Sequence, residues 1–473
     1  MQDKACIYLF SILFIFILNT KYSYSQAPLD SSVVINNIII KGNKITKNKI
    51  IFREILFSIN DTLSKQKLFG IIEQSRENLM NAAIFNFVTI DTAGTGNSPR
   101  QLTVTINVTE RWYTWPTPIF HLADRNFNVW WKHRDLSRLN YGIYLVQKNL
   151  RGKRETLLIR LLTGYDENYS IYYEKPYITP EQNLGAGFML GYARNHEVAY
   201  MTENDKLSFY KNENSYPKTD LFGFLQSTYR FGIHTTTTFC ILYDKYKFSD
   251  SLVTKNINYT IDKQKNVQYL SLFFQYKNDH RDYKPYPLTG YYFDVELNKL
   301  GLLPDEKLNF FYTKATLRKY WQLHPKWYIA SGITLKISDN GFQPYFIKRG
   351  LGYVRDFVRG YEYYVIDGES YYLVKSNIKY RLIQPGVFKI PFIKTEKFNK
   401  VPYAVYANLF TDWAYVQSRY HKEEQNNKLI NKMINGNGLG LDFVTYYDKV
   451  FRLEFSVNGM GETGIFVHFI SPI

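Results

Sequence analysis

Few of the 473 residues are suited to bond-making chemistry, and their spacing does not support it. His133-Arg134-Asp135 and His280-Arg281-Asp282 both copy the tripeptide of a kinase catalytic loop, but neither has a glycine-rich phosphate loop or other matching context, so both read as chance. The remaining histidines lack metal-ligand spacing. Cys6 lies in a segment expected to be removed, leaving Cys240 alone, so neither an intramolecular disulfide nor a thiolate metal site is expected. The residues that stand out are suited to binding: Val358, Arg359, Gly360 and Tyr361, inside a run that starts at Gly350 and reaches Glu362. A guanidinium presents several donors in a rigid fork and can tie a loop to a carboxylate. Glycine after it lets the backbone approach a wall closely. The bland alternative is a solvated loop arginine.

A loop held in this way needs a wall, and the last 350 or so residues read as one. In Phe451 to Asn458 one face is Phe451, Leu453, Phe455 and Val457 and the other is Arg452, Glu454, Ser456 and Asn458; Phe293, Val295 and Leu297 alternate with Asp294, Glu296 and Asn298 in the same way. Such segments recur with no second helical layer. Connections 196–218, 247–265, 339–369 and 413–436 are long and polar, whereas Tyr447-Asp448-Lys449 is tight. Short turns alternating with long loops are the pattern of a transmembrane barrel. The count is about 16 strands, from a first at 126–132 to a last at 464–471. Connection 383–400 misfits, being long where short turns are expected.

Composition and targeting agree with export. Lys4, the apolar stretch Ala5 to Leu18, and Ser23-Tyr24-Ser25 read as a signal peptide over 1–25. Its apolar run is too short to span a bilayer as a helix. The net charge is +17, and losing Lys4, Lys21 and Asp3 (net +1) leaves +16. A basic balance suits anionic lipid headgroups; nucleic acid is not expected, because the lysines and arginines are dispersed. Aromatics make up 18%, with 42 Tyr and 34 Phe, an excess that interfacial girdles would explain.

Residues 31–113 read as a small α+β unit. Val33 to Lys41 is a strand closed by Gly42-Asn43. Thr46 is placed to cap a helix starting at Lys47, and Ser64 a second helix along Leu68, Ile71, Ile72, Ser75, Leu79 and Ala82. Strands Phe87 to Asp91 and Leu102 to Val108 follow, separated by the turn-rich 93–100. The segment 111–118, Arg-Trp-Tyr-Thr-Trp-Pro-Thr-Pro, breaks both periodicities and reads as a linker to a barrel over 120–473.

Together these motifs resemble the BamA/TamA superfamily. The order strand, helix, helix, strand, strand is similar to a POTRA domain, with 78–86 as the turn into its second strand. Val358-Arg359-Gly360-Tyr361 resembles the family's loop-6 signature, and 149–152 (Asn-Leu-Arg-Gly) and 285–290 (Pro-Tyr-Pro-Leu-Thr-Gly) resemble its short turns. Phe410-Thr411-Asp412 resembles the strand-13 motif, whose aspartate faces the lumen. The resemblance therefore implies that Arg359 reaches Asp412 on the lumen wall. It also implies a departure: Lys379 stands where the family has an inward glutamate, so either Asp412 acts alone or Glu362 or Glu369 assists. The usual aromatic C-terminal residue is missing as well.

The expected fold is mostly β: a transmembrane antiparallel barrel of about 16 strands preceded by a small α+β POTRA domain. The expected function is not enzymatic and needs no cofactor. It is insertion or translocation of other proteins in the bacterial outer membrane, through a barrel that opens laterally and a POTRA domain in the periplasm. Phe87, Val88, Thr89, Ile90 and Asp91 would offer an edge to a client or partner. The expected partners are outer-membrane lipid and lipopolysaccharide, unfolded client outer-membrane proteins, and periplasmic or lipoprotein accessory proteins. The alternative is a passive porin-like or surface-structural barrel.

Overall fold

The computed structural model describes residues 32–95, 98–122, 139–353, 356–419 and 426–469. The expected signal peptide and the expected strand at 126–132 lie outside these residues.

The amino-terminal unit begins with β1 (Ser32–Lys41), whose Val33 and Ile35 are buried, followed by helix α1 (Asn48–Phe52). The short strand β2 (Thr62–Ser64) was not expected; it precedes helix α2 (Lys65–Asn81) and strands β3 (Phe85–Thr95) and β4 (Ser98–Glu110). The sheet is therefore four-stranded, ordered β2-β1-β4-β3, with β1 parallel to β4 and β3 at one edge. Ser64 caps α2 as expected, accepting from the Lys67 amide at 3.3 Å. Thr46 does not cap α1; its hydroxyl is buried and donates to Glu110 at 2.7 Å. The glutamate competes successfully because a buried carboxylate needs every donor within reach.

Sixteen strands form one continuous antiparallel sheet. The first is β5 (Thr114–Leu122), so the expected linker is in large part a barrel strand and the sheet starts at Thr114 rather than near 120. Its prolines hid it. Pro116 and Pro118 cannot donate to a ladder on both sides, and β5 pairs only with β6 (Leu139–Leu150) among the described residues. There follow β7 (Glu155–Gly164), β8 (Glu167–Lys175), β9 (Leu184–Asn195), β12 (Lys218–Phe231), β13 (Thr235–Phe248), β14 (Asn266–Asp279), β15 (Gly290–Leu300), β16 (Phe310–His324), β17 (Trp327–Ser338), β18 (Ser370–Lys389), β19 (Lys400–Gln417), β20 (Met433–Val444), β21 (Val450–Asn458) and β22 (Thr463–His468). Between β9 and β12 a separate hairpin, β10 (Glu197–Glu203) with β11 (Lys206–Lys211), stands apart from the main sheet. The misfitting connection 383–400 begins as strand, since β18 runs on to Lys389, and then turns through 390–399 into β19. Beyond Arg381 and Ala404, β18 and β19 pair only with each other and form a ribbon past the barrel rim.

Burial along these strands is inverted relative to a soluble protein. In β21 the charged and polar residues Arg452, Glu454, Ser456 and Asn458 are buried, while Phe451, Leu453, Phe455 and Val457 are exposed. Apolar side chains on the outside of a barrel, polar ones within, are what a bilayer demands. The long connections 196–217, 249–265, 339–369 and 418–432 all lie at the end opposite the amino-terminal unit.

Candidate functional site: the loop-6 latch and the docked amino-terminal unit

The connection between β17 and β18 folds back into the lumen. Leu351 and Ile366 bridge its two limbs, and Val358 and Tyr361 bury against Ala414, Val416 and Ile434 of the wall. Arg359 is fully buried. Its Nε donates to Asp412 Oδ2 at 2.8 Å, its Nη2 to Oδ1 at 2.5 Å, and its backbone amide also reaches Oδ2 at 3.1 Å. The structure thus brings together the arginine of the loop and the aspartate of β19. The guanidinium lies 3.9 Å from the Phe410 ring centroid, a cation–π contact that packs its other face.

The second acceptor comes from neither residue weighed for it. It is Glu454 on β21, which accepts from Arg359 Nη1 at 3.3 Å and pairs with Arg452 at 3.2 Å. Glu362 accepts instead from the Gly360 amide at 2.8 Å, and Glu369 pairs with Lys348 at 2.8 Å. Lys379 is not beside Arg359's partner; Lys375 pairs with Asp412 across the strands, its ammonium 3.7 Å from the carboxylate. Lys379 is buried further along, 4.4 Å from the Tyr286 ring, and Tyr286 in turn donates to Asp442 at 2.8 Å. Glu454 had a signal in the sequence, since it alternates on the polar face of β21, but nothing linear singles it out from its neighbours.

Backbone geometry completes the latch. Gly360 has φ +90°, and Asn458 donates to its carbonyl at 3.0 Å. The tightest approach is at Gly436 on β20, where an added Cβ would lie 1.7 Å from the Arg359 carbonyl oxygen. Tyr361 accepts from the Gly459 amide at 3.0 Å. Loop 6 is therefore anchored to β19, β20 and β21, next to the last strand.

At the other end the amino-terminal unit sits across the barrel mouth. Glu54, buried after α1, takes a two-pronged contact from Arg230 at 2.6 and 2.7 Å and a third donor from Arg154 at 3.3 Å. Burial would raise the Glu54 carboxyl, but hydrogen bonding to Arg230 and the charges of Arg230, Arg154 and Arg53 hold it below the ordinary range. The 149–152 turn docks on the same unit. Gly152 accepts from the Lys47 amide at 3.0 Å, and its φ of +69° and a would-be Cβ 2.0 Å from the Ile45 carbonyl oxygen admit only glycine. On the far side Arg111 pairs with Asp448 at 2.5 Å. Burial opposes the Asp448 charge, yet Arg111 keeps its carboxyl below normal. Asn81 accepts from the Lys284 amide at 2.8 Å.

Of the expected edge, Phe87, Val88, Thr89, Ile90 and Asp91 all lie on β3, which pairs only with β4 among the described residues. Thr89 and Asp91 are exposed and Val88 faces the core. Among the described residues only the start of β3 hydrogen-bonds to the barrel, where Asn86 donates to the Lys397 carbonyl at 3.0 Å.

A family described as "Omp85 superfamily domain" matches residues 149–446, well over half of the chain. The chain belongs to the Omp85 superfamily. Its members are outer-membrane barrels of transport and assembly rather than enzymes. Residues 33–111 match the POTRA family, "Surface antigen variable number repeat", so the docked amino-terminal unit is a single POTRA domain. Among solved structures, similar chains include BamA from Haemophilus ducreyi lacking POTRA domains 1-3, at 14% identity over 92% of this chain and 83% of that one, with a TM-score of 0.48. CdiB from Acinetobacter baumannii is 12% identical over 92% of this chain and 74% of its own, with a TM-score of 0.47. CdiB from Escherichia coli is 9% identical over 94% and 91%, also with a TM-score of 0.47. No curated protein matches the chain.

Proposed function

We propose that this Omp85 protein inserts or translocates other proteins in the bacterial outer membrane, with its POTRA domain in the periplasm. One observation carries the reading: β5 and β22 end the sixteen-strand sheet and pair with each other nowhere among the described residues, and β22 is only six residues long. A short, proline-bearing seam costs little to open, and its unpaired backbone groups would accept a client strand that must otherwise bury polar backbone in lipid. The edge Phe87–Asp91 would receive an extended client segment first. The partners are then unfolded client outer-membrane proteins, membrane lipid and lipopolysaccharide, and accessory periplasmic proteins or lipoproteins. Loop 6 in the lumen and POTRA across the mouth weigh against a passive porin.

Purified protein in liposomes should speed the folding of an unfolded barrel client over that in empty liposomes while conducting few ions. Steady conductance with no gain in client folding would overturn the reading in favour of the porin. Proline at Thr89 or at Ile90 tests the edge. One of any two neighbouring residues in an antiparallel pair turns its N–H outward, so one of the two substitutions should lower client folding with the barrel intact.

A further inference from the structure

Three polar atoms next to the latch converge on one point and have no hydrogen-bond partner among the described residues: Glu362 Oε1 of loop 6, Glu454 Oε2 of β21 and His468 Nε2 at the end of β22. Glu454 is only 1% exposed, so its free oxygen is a desolvated acceptor aimed into the cluster. The three ligand atoms lie within 4.8 Å of one another. His468 Nε2 is 3.4 Å from each carboxylate oxygen.

Neither contact is a hydrogen bond, and one imidazole N–H cannot serve two carboxylates well. The separation suits two ligands of one ion. Bonds of about 2.0–2.1 Å in a tetrahedron set neighbouring donor atoms roughly 3.3–3.4 Å apart. The outer oxygens are engaged as such a site requires. Glu362 Oε2 accepts from the Gly360 amide at 2.8 Å, and Glu454 Oε1 accepts from Arg359 at 3.3 Å and pairs with Arg452 at 3.2 Å, so each carboxylate is oriented by one oxygen and free at the other.

We propose that Glu362, Glu454 and His468 bind a divalent transition-metal ion of the Zn2+ class, with a fourth position left to water. One imidazole with two carboxylates is a donor set for Zn2+, Ni2+ or Cu2+ rather than for Ca2+, which takes six to eight oxygens. Histidine spacing excluded metal in the linear sequence because the three ligands come from a loop and two separate strands. Bound there, the ion staples loop 6 to the last strand, so its occupancy sets how firmly the seam strand is held. The site stands on geometry alone and does not depend on the protein having clients.

The test uses tag-free, folded, full-length protein with Cys240→Ser, so that no thiolate competes, and titrates Zn2+ and Co2+ alone. One ion per chain should bind, and Co2+ should give the visible bands of a four- or five-coordinate site. His468→Ala should abolish the bands, and Glu362→Gln, which keeps an acceptor for the Gly360 amide, should weaken binding by at least about tenfold, since even an outer partner is worth that much. Heat-modifiable migration verifies that each variant is folded. No binding up to about 1 mM free ion, a very weak affinity, or binding unchanged in both variants would overturn the proposal. Because the readout is binding, its failure leaves the insertion reading standing, and the reverse also holds.

Discussion

Replacing Arg359 by alanine removes the only guanidinium among the described residues that reaches Asp412, a side chain with no solvent exposure. Asp412 loses its contacts to Nε and Nη2 and keeps the loop amide and the Lys375 ammonium at 3.7 Å. Glu454 keeps Arg452. Removing one partner of a buried ion pair costs about 3–5 kcal/mol, mostly because the other charge stays buried without compensation. Here that cost falls on the loop, whose amides at Arg359, Gly360 and Tyr361 are all hydrogen-bonded in place. Hydrogen exchange of these amides reports loop opening. At about 1.4 kcal/mol per factor of ten, exchange in Arg359→Ala should rise at least a hundredfold. Asp412→Ala should do nearly the same, and the double variant should be little worse than either, because members of one interaction are not additive. Arg359→Lys should be impaired as well, since an ammonium loses the fork. Exchange within about twofold of the parent, or fully additive losses, would refute the latch.

Three further outcomes follow from the same contacts. Gly436→Ala, with its Cβ 1.7 Å from the Arg359 carbonyl oxygen, should release loop 6 to proteases without changing any charged residue. Acid should undock the POTRA domain: the Glu54 and Asp448 carboxyls are depressed in the folded state, so their docking contribution is complete above the ordinary carboxylate range near 4 and disappears as pH falls through their lowered values. Proteolysis of the POTRA–barrel junction across pH 7 to 3 measures this, and Glu54→Gln should loosen the junction already at neutral pH. Cysteine at exposed Lys428 should react with an impermeant reagent on whole cells while cysteine at exposed Lys449 should not, because the two lie at opposite ends of the barrel.

Most of the wall was legible because a bilayer imposes a strict alternation, and β21 shows it without a break. The strand that escaped, β5, carries Pro116 and Pro118, which look like linker until its place at the edge of the sheet is known. The Arg359–Asp412 pair was readable through family resemblance. Glu454 was not, because a lumen-facing glutamate on β21 gains its meaning only when loop 6 arrives from about 95 residues away. The POTRA clamp was illegible for the same reason: Glu54 meets Arg154 and Arg230 only after the barrel has folded under it. Thr46 reads locally as a helix cap, yet Glu110 captures it across the domain. Long-range charge pairing decides these positions, and it leaves no periodic trace.

On the proposed function, the seam between β5 and β22 must open for a client to pass. Paired cysteines, one at Ile119 or Phe120 and one within Gly464 to Val467, screened in a Cys240→Ser background for the pair that oxidises, lock that seam covalently. In liposomes the oxidised protein should lose its acceleration of client folding and regain it on reduction, while each single-cysteine control stays active throughout. Undiminished client folding by the fully crosslinked protein would contradict the claim.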